Sequence, residues 1–330
     1  MSLQLFEGLD RNRFEVKMYV QERREIQLDP DESRADDVIY GVEGRYRRMH
    51  LLKHFYEMLR LARNFDVVVG VSEGRASGLA LLAGLAARRP VITWIHADWS
   101  QFSRKLSWRT QLAVKSFNKA SAIVACSHGV ADAHAKSFPQ NRDLLHVIPN
   151  GIDTKDIKAL SKAELAKAEQ DWFNHPTVVS VGRLHSQKGF DLLIPALAKA
   201  QRMGADFRSV IIGEGGEIGK LKELAQTMGI EENVKFLGFQ DNPYRFMAKG
   251  TVFALSSRFE GFGLVVAEAL ACGAPVVSFD CPSGPSEILD GGQFGILVPA
   301  EDVDAMALAI RDLLADPQRL AELSARARCV

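Results

Sequence analysis

The sequence predicts an α/β protein of two doubly wound, Rossmann-like domains facing a cleft, the first lacking its opening strand. Short apolar runs alternate with helical stretches along most of the chain, the pattern of parallel strands joined by crossovers and covered on both faces. The alternation is interrupted once, at Pro149-Asn150-Gly151-Ile152-Asp153 and a polar Lys/Glu/Ala-rich stretch to about Asn174, and then restarts. At 330 residues the chain is long enough for two such domains. The boundaries implied are 1–149, a hinge over 150–176, and 177–330.

In the first domain residues 2–9 read as the end of a helix and 14–20 as a strand. Strands follow at 66–71, 91–96, 122–126 and 146–149, with helices near 48–62, 77–87, 108–118 and 129–136. The second domain has strands at 177–181, 209–212, 234–237, 251–255, 275–279 and 296–298, alternating with helices of which the last is 303–314. A doubly wound domain ordinarily opens with a strand and a Gly-rich turn, whereas here helix-like residues follow Met1 directly. The first sheet is therefore expected to lack its middle strand, and LSARARCV to stop partway through a helical pattern, so both ends read as truncated.

Lys+Arg and Asp+Glu balance at 41 each and 47% of residues are hydrophobic, which fits a soluble globular protein and not a disordered or nucleic-acid-coating one. Cys126, Cys272, Cys281 and Cys329 lack CxxC spacing, so neither a zinc site nor a disulfide framework is expected, and a reducing cytoplasm suits them. No apolar run approaches the length of a membrane span, and residues 1–20 lack a signal-peptide pattern. The charge is asymmetric: residues 1–148 carry a net +5 and residues 149–330 a net −5. Arg45, Arg47, Arg48, Lys53, Arg60, Arg63, Arg104, Lys105, Arg109 and Lys115 interleave with Tyr46, Phe55, Tyr56, Phe102 and Trp108. That mixture suits an anionic surface such as lipid headgroups or a lipid-linked diphosphate, and equally suits solvated helix faces.

The densest chemistry lies in SSRFEGFGLVVAEALACGAPVVSFDCPSGPSEIL, from Ser256 to Leu289. An apolar run ends in small polar residues, Glu260-Gly261-Phe262-Gly263 makes a turn, and Leu264 to Ala271 has the composition of a buried helix. A Gly turn between strand and helix leaves N–H groups free at a helix N-terminus, a setting for phosphate. Glu260 and Glu268 are eight residues apart, about 80° around a continuous helix, so both carboxylates can face one cleft. Glutamates at this spacing often sit on a solvated face, but Glu268 lies in apolar VVAEALACG, where an unpaired carboxylate is costly to bury.

Other strand ends add candidates. VVSVGR followed by HSQKG brings Arg183 and Lys188 to a strand terminus flanked by Gly182 and Gly189, where a planar fork and a mobile point charge can converge on one diphosphate. Gly213 and Glu214 form a second strand-to-Gly turn that departs from GxGxxG. Around Leu237, VKFLGF either walls a nucleobase or is simply a buried strand. His96 ends a strand, with Asp98 and Trp99 next, and either fills a structural role or donates to a phosphate or sugar oxygen. Ser72-Glu73-Gly74 and Ser127-His128-Gly129 end neighbouring strands in the same way.

Taken together, EGFGLVVAEALACGAPVV, supported by VGRLHSQKG, GEGGE, VKFLGF and IPNGID, resembles retaining glycosyltransferases of the GT-B fold, family 4, over about residues 14–314. The resemblance implies that Glu260 opens and Glu268 closes the family's E-x7-E motif. Glu260 would then meet the donor sugar's hydroxyls, the amides of Phe262, Gly263 and Leu264 would hold sugar and phosphate, and Glu268 the ribose. Arg183 and Lys188 would neutralise the diphosphate leaving group, with Gly213, Glu214 and Leu237 lining the nucleotide and His96 serving as the active-site histidine of the acceptor-side domain. SFDCPSGPSEIL further resembles enzymes that build bacterial surface glycans and lipid-linked oligosaccharides from UDP-hexoses or UDP-N-acetylhexosamines. The resemblance thus implies a nucleotide-sugar substrate and a lipid-linked or oligosaccharide acceptor, with no cofactor, no metal and no nucleic acid. The cysteine usage suits a cytoplasmic protein, and the basic, aromatic-containing first domain suits a peripheral contact with the inner face of an anionic membrane. The alternatives are a truncated nucleotide-sugar-binding protein with little transfer, and a GT-B epimerase or phosphorylase.

Overall fold

The computed structural model describes residues 8–23, 37–43, 50–71, 75–98 and 108–328. The expectations for residues 2–7, for Arg45, Tyr46, Arg47 and Arg48, for Ser72-Glu73-Gly74, and for Trp99, Phe102, Arg104 and Lys105 lie outside the described residues. The chain divides into two compact units, Met1–Asn150 and Gly151–Val330.

In the first unit β1 (Met18–Arg23) and β2 (Val38–Glu43) form a parallel pair, with Met18 opposite Val38. β3 (Val68–Gly70), β4 (Val91–Ile95), β5 (Ala122–Ala125) and β6 (Leu145–Val147) form a four-stranded parallel sheet in that order. No strand joins the two sheets among the described residues. The crossovers are helices Leu51–Ala62, Arg75–Ala86, Trp108–Lys115 and His128–Ser137, and Leu81, Ile95, Phe117 and Ile123 fill the interior. The first strand lies later than the expected 14–20, and β2 was not expected. The helix expected over 108–118 tightens after Lys115 into a 3-10 turn, Ser116–Lys119, whose Phe117 is buried.

The second unit is a six-stranded, wholly parallel sheet. Its strands are β7 (Thr177–Val181), β8 (Arg208–Ile212), β9 (Val234–Gly238), β10 (Val252–Leu255), β11 (Val276–Asp280) and β12 (Ile296–Pro299). In space they run β12-β11-β10-β7-β8-β9. The chain thus builds outward from β7 in one direction and from β10 in the other, so the topological switch point falls between β7 and β10.

Period-two alternation sends neighbouring residues to opposite faces. Val178, Ile211 and Phe279 pack with Leu193 and Leu197 of helix Phe190–Arg202 and Met306 of helix Val303–Leu314. Val179, Val210 and Phe253 pack on the other face with Phe246 and with Val266 and Leu270 of helix Leu264–Ala271. Each fully buried side chain of this size contributes about 1.5–3 kcal/mol.

The stretch expected as a hinge, 150–176, carries helix Thr154–Leu160, capped by Asp153, whose Oδ1 accepts from the N–H groups of Lys155 and Asp156 at 2.9 Å each. Leu165, Trp172 and Phe173 pack against the second unit's interior, and the Arg245 guanidinium reaches Glu169 at 3.7 Å. Beyond Asn150 this segment is structured as part of the second unit.

Candidate active site

The switch point sets side by side two loops that are far apart in sequence. After β7 the chain runs through Gly182, Arg183 and Lys188, and after β10 through Ser256, Ser257 and Glu260. Lys188 Nζ donates to Glu260 Oε1 at 2.6 Å, across 72 residues of sequence. Ser257 Oγ donates to the same oxygen at 2.6 Å. The two charged side chains are only 16% and 8% exposed, so each shields the other from an unpaired burial. Ser256 Oγ donates to the Lys188 carbonyl at 2.9 Å and Gln187 Nε2 to the Phe259 carbonyl at 3.1 Å, which laces the loops together.

Gly263 begins helix Leu264–Ala271 in the left-handed region, φ +86, which a side chain there would oppose. The Val266 N–H donates back to the Gly263 carbonyl at 2.8 Å, while the N–H groups of Phe262, Gly263 and Leu264 make no hydrogen bond among the described residues. These three amides form the anion-ready end of the helix. Glu268 lies on the same helix, half-buried. Burial pushes its pKa up, opposed by the charge of Lys188 and by the Tyr244 hydroxyl. Glu260 precedes the helix and Glu268 lies within it, yet each lies near Lys188.

Arg183 is exposed and forms no ion pair among the described residues. Lys188 and Arg183, expected to converge on one diphosphate, are in different situations: Lys188 is already matched by a carboxylate and Arg183, among the described residues, is not. Gly182, Gly213 and Gly238 line up at the carboxyl ends of β7, β8 and β9. The Gly182 N–H donates to the Ile212 carbonyl at 2.9 Å and the Gly213 N–H to the Gly238 carbonyl at 2.8 Å. The Glu214 carbonyl accepts from the Leu184 N–H at 2.8 Å while its side chain is exposed. Leu237 is half-buried in β9, and Phe239 just beyond is 66% exposed.

His96 belongs to the first unit, directly after β4. Its Nε2 donates to the Val71 carbonyl at 3.1 Å, its ring stacks on Trp94 at 5.6 Å between centroids, and burial lowers its pKa. Ser127 has a structural role, its Oγ accepting from the Val130 N–H at 3.1 Å as a helix cap. The sequence reading missed Ser257, Arg258 and Tyr244. Ser257 sits three residues before Glu260, the one linear hint available.

The model of the glycosyl transferases group 1 matches residues 158–330, and that of Glycosyltransferase Family 4 matches residues 2–156. The chain belongs to this glycosyltransferase family. Over 200 residues the glycosyltransferase is 34% identical to the N-acetylgalactosamine-N,N'-diacetylbacillosaminyl-diphospho-undecaprenol 4-alpha-N-acetylgalactosaminyltransferase of Campylobacter jejuni, covering 61% of this chain and 52% of that one. It is 33% identical over 285 residues to the GDP-mannose-dependent alpha-(1-6)-phosphatidylinositol monomannoside mannosyltransferase of Mycolicibacterium smegmatis, covering 82% and 73%. The chain thus spans between about half and three quarters of the length of these two relatives. Anabaena HepE, solved with UDP and glucose, superposes with a TM-score of 0.75 at 26% identity, over 88% of this chain and 80% of that one. Both units therefore follow the GT-B pattern of parallel-sheet domains. Among the described residues no helix is long and apolar enough to cross a membrane.

Proposed function

We propose that this glycosyltransferase moves a hexose or N-acetylhexosamine, with retention of configuration, from a UDP-linked donor to a lipid-linked or surface-glycan acceptor. The observation that carries the reading is the pairing of the β7 and β10 loops at the switch point, which puts Lys188, Glu260 and three free amides in one place. As the bond to the nucleoside diphosphate breaks, negative charge grows on the departing phosphate. The helix amides, fixed before the reaction, stabilise that charge without reorganising. Lys188 and Glu260 cancel in net charge, so the uncompensated cation for the leaving group is Arg183. Lys188 keeps its other N–H donors for phosphate while holding Glu260 turned toward the sugar hydroxyls. Glu268 accepts from the ribose.

Two comparisons frame the donor. HepE was solved with UDP and glucose, whereas the mycobacterial relative is GDP-mannose-dependent. Calorimetry with UDP and with GDP separates them, and UDP is expected to bind at least tenfold more tightly. In transfer assays Arg183→Ala is expected to lose about 10²–10³ in rate at unchanged stability, because the side chain is exposed. An Arg183→Ala rate within twofold of wild type removes Arg183 from the assignment.

The first unit supports a peripheral contact with an anionic membrane. Leu52, 80% exposed, and Tyr56, 67% exposed, share a face of helix Leu51–Ala62 with Arg60. Co-sedimentation with vesicles containing anionic lipid is expected for the wild type and reduced several-fold by Leu52→Glu. Equal pelleting of the two proteins rules this face out.

A further inference from the structure

We propose that Arg258 is a positioning residue for donor binding, holding the loop that carries Lys188 in register with the loop that carries Glu260. The inference rests on the donor-site reading above and adds a residue that touches no substrate in it. One arginine ties its own loop to the loop after β7, to helix Phe190–Arg202 and to the turn after β12. Nη1 and Nη2 donate to Oδ1 and Oδ2 of Asp191 at 2.8 Å each, a bidentate fork, and Nη1 also donates to the Ser186 carbonyl at 2.7 Å. Nε donates to Glu301 Oε2 at 3.2 Å, and the Arg258 N–H to the Gln187 carbonyl at 2.9 Å.

The placement of these contacts gives them their meaning. Ser186 lies two residues before Lys188 and Asp191 three after it, in the first turn of helix Phe190–Arg202. Lys188 is therefore clamped on both sides by a residue that itself stands two positions before Glu260. Glu301, whose φ is +61, brings in the turn between β12 and helix Val303–Leu314. The planar fork matches a carboxylate in two bonds at once, which a lysine ammonium cannot do. The adjacent guanidinium also holds the Asp191 carboxyl below its usual range. Without the guanidinium the bonds from Ser256 Oγ, Gln187 Nε2 and the Arg258 N–H still lace the two loops, but the spacing of Lys188 Nζ and Glu260 Oε1 is held less tightly.

A double-mutant cycle on the full chain tests this, with UDP and GDP as the calorimetric probes and the thermal midpoint followed in each variant. Arg258→Met is expected to weaken nucleotide binding about tenfold, and Arg258→Lys to recover little of it. In a Lys188→Ala background the same Arg258→Met change is expected to cost less than twofold, because a residue acting through Lys188 has nothing left to position. Unchanged affinity in Arg258→Met, or a tenfold loss that persists without Lys188, overturns the proposal. Should Arg258→Met fail to fold, Asp191→Asn removes one side of the clamp and must show the same dependence on Lys188. If the wild type binds neither UDP nor GDP, the donor-site reading falls and this proposal with it. Binding by the wild type with an additive cycle sinks only the role of Arg258.

Discussion

Lys188→Met is expected to destabilise the protein by about 3–5 kcal/mol and to remove transfer, while Lys188→Met combined with Glu260→Gln restores most of the stability and none of the transfer. The first half follows from burial. Glu260 is 7% exposed and its partners are Lys188 and Ser257, so deleting the ammonium leaves a carboxylate that a single hydroxyl cannot satisfy. Neutralising the carboxylate as well removes the unpaired charge, and a pair of uncharged side chains of similar volume is often as stable as the buried ion pair. The second half follows from chemistry, because the donor sugar loses Glu260 and the phosphate loses Lys188, which Arg183 and Glu268 cannot replace from their own positions. Urea titrations read the stability and product formation reads the transfer. Recovery of transfer in the double variant would show that the pair is architectural only.

Gly213→Ala is expected to cost about 3 kcal/mol or more and to abolish nucleotide binding, with Gly216→Ala as a near-neutral control. At Gly213 φ is +136, a region that L side chains rarely enter, and an added Cβ would fall 2.0 Å from the Gly182 carbonyl oxygen. Backbone meets backbone there, so no flexible side chain can yield. The strain is relieved only by parting the ends of β7 and β8, which displaces Gly182 and with it Arg183. Gly216 has open space where its Cβ would go. Unfolding midpoints and UDP calorimetry of the two variants decide the matter. Equal behaviour would mean that the close approach at Gly213 does not constrain the site.

Much of the second unit was legible because its strands are continuous apolar runs ended by glycine or small polar residues. Thr177–Val181, helix Leu264–Ala271 and helix Val303–Leu314 lie where the pattern put them. In the first unit β2 was missed for an identifiable reason. VIYGVE contains Gly41, which weakens a strand signal, and the glycine is needed because a Cβ there would meet Tyr19 Oη at 2.2 Å. That phenol is fixed by the Glu57 carboxylate at 2.6 Å, a long-range contact with no linear signature. The same limit applies at the site. Motifs gave the residue types, but the Lys188–Glu260 pair and the Arg258 clamp depend on β7 lying beside β10, which no local spacing encodes. The polar composition of 150–176 pointed to a hinge, although apolar residues within it, Ile157, Leu165, Trp172 and Phe173 among them, suffice to dock it.

The strand order has a kinetic meaning as well. β7, β8 and β9 pair in the order they leave the ribosome, whereas β10 returns past both to the open side of β7, closing a loop of some seventy residues before its contacts repay the lost chain entropy. Lys188 and Glu260 cannot meet until that return is made. On the proposed donor site, a sheet stalled before β10 docks would hold its β8 and β9 turns but lack the β10 half of the phosphate site, so nucleotide is expected to engage only chains that have completed this step. A nucleotide bound there would, by mass action, selectively stabilise the finished sheet over its own folding intermediates.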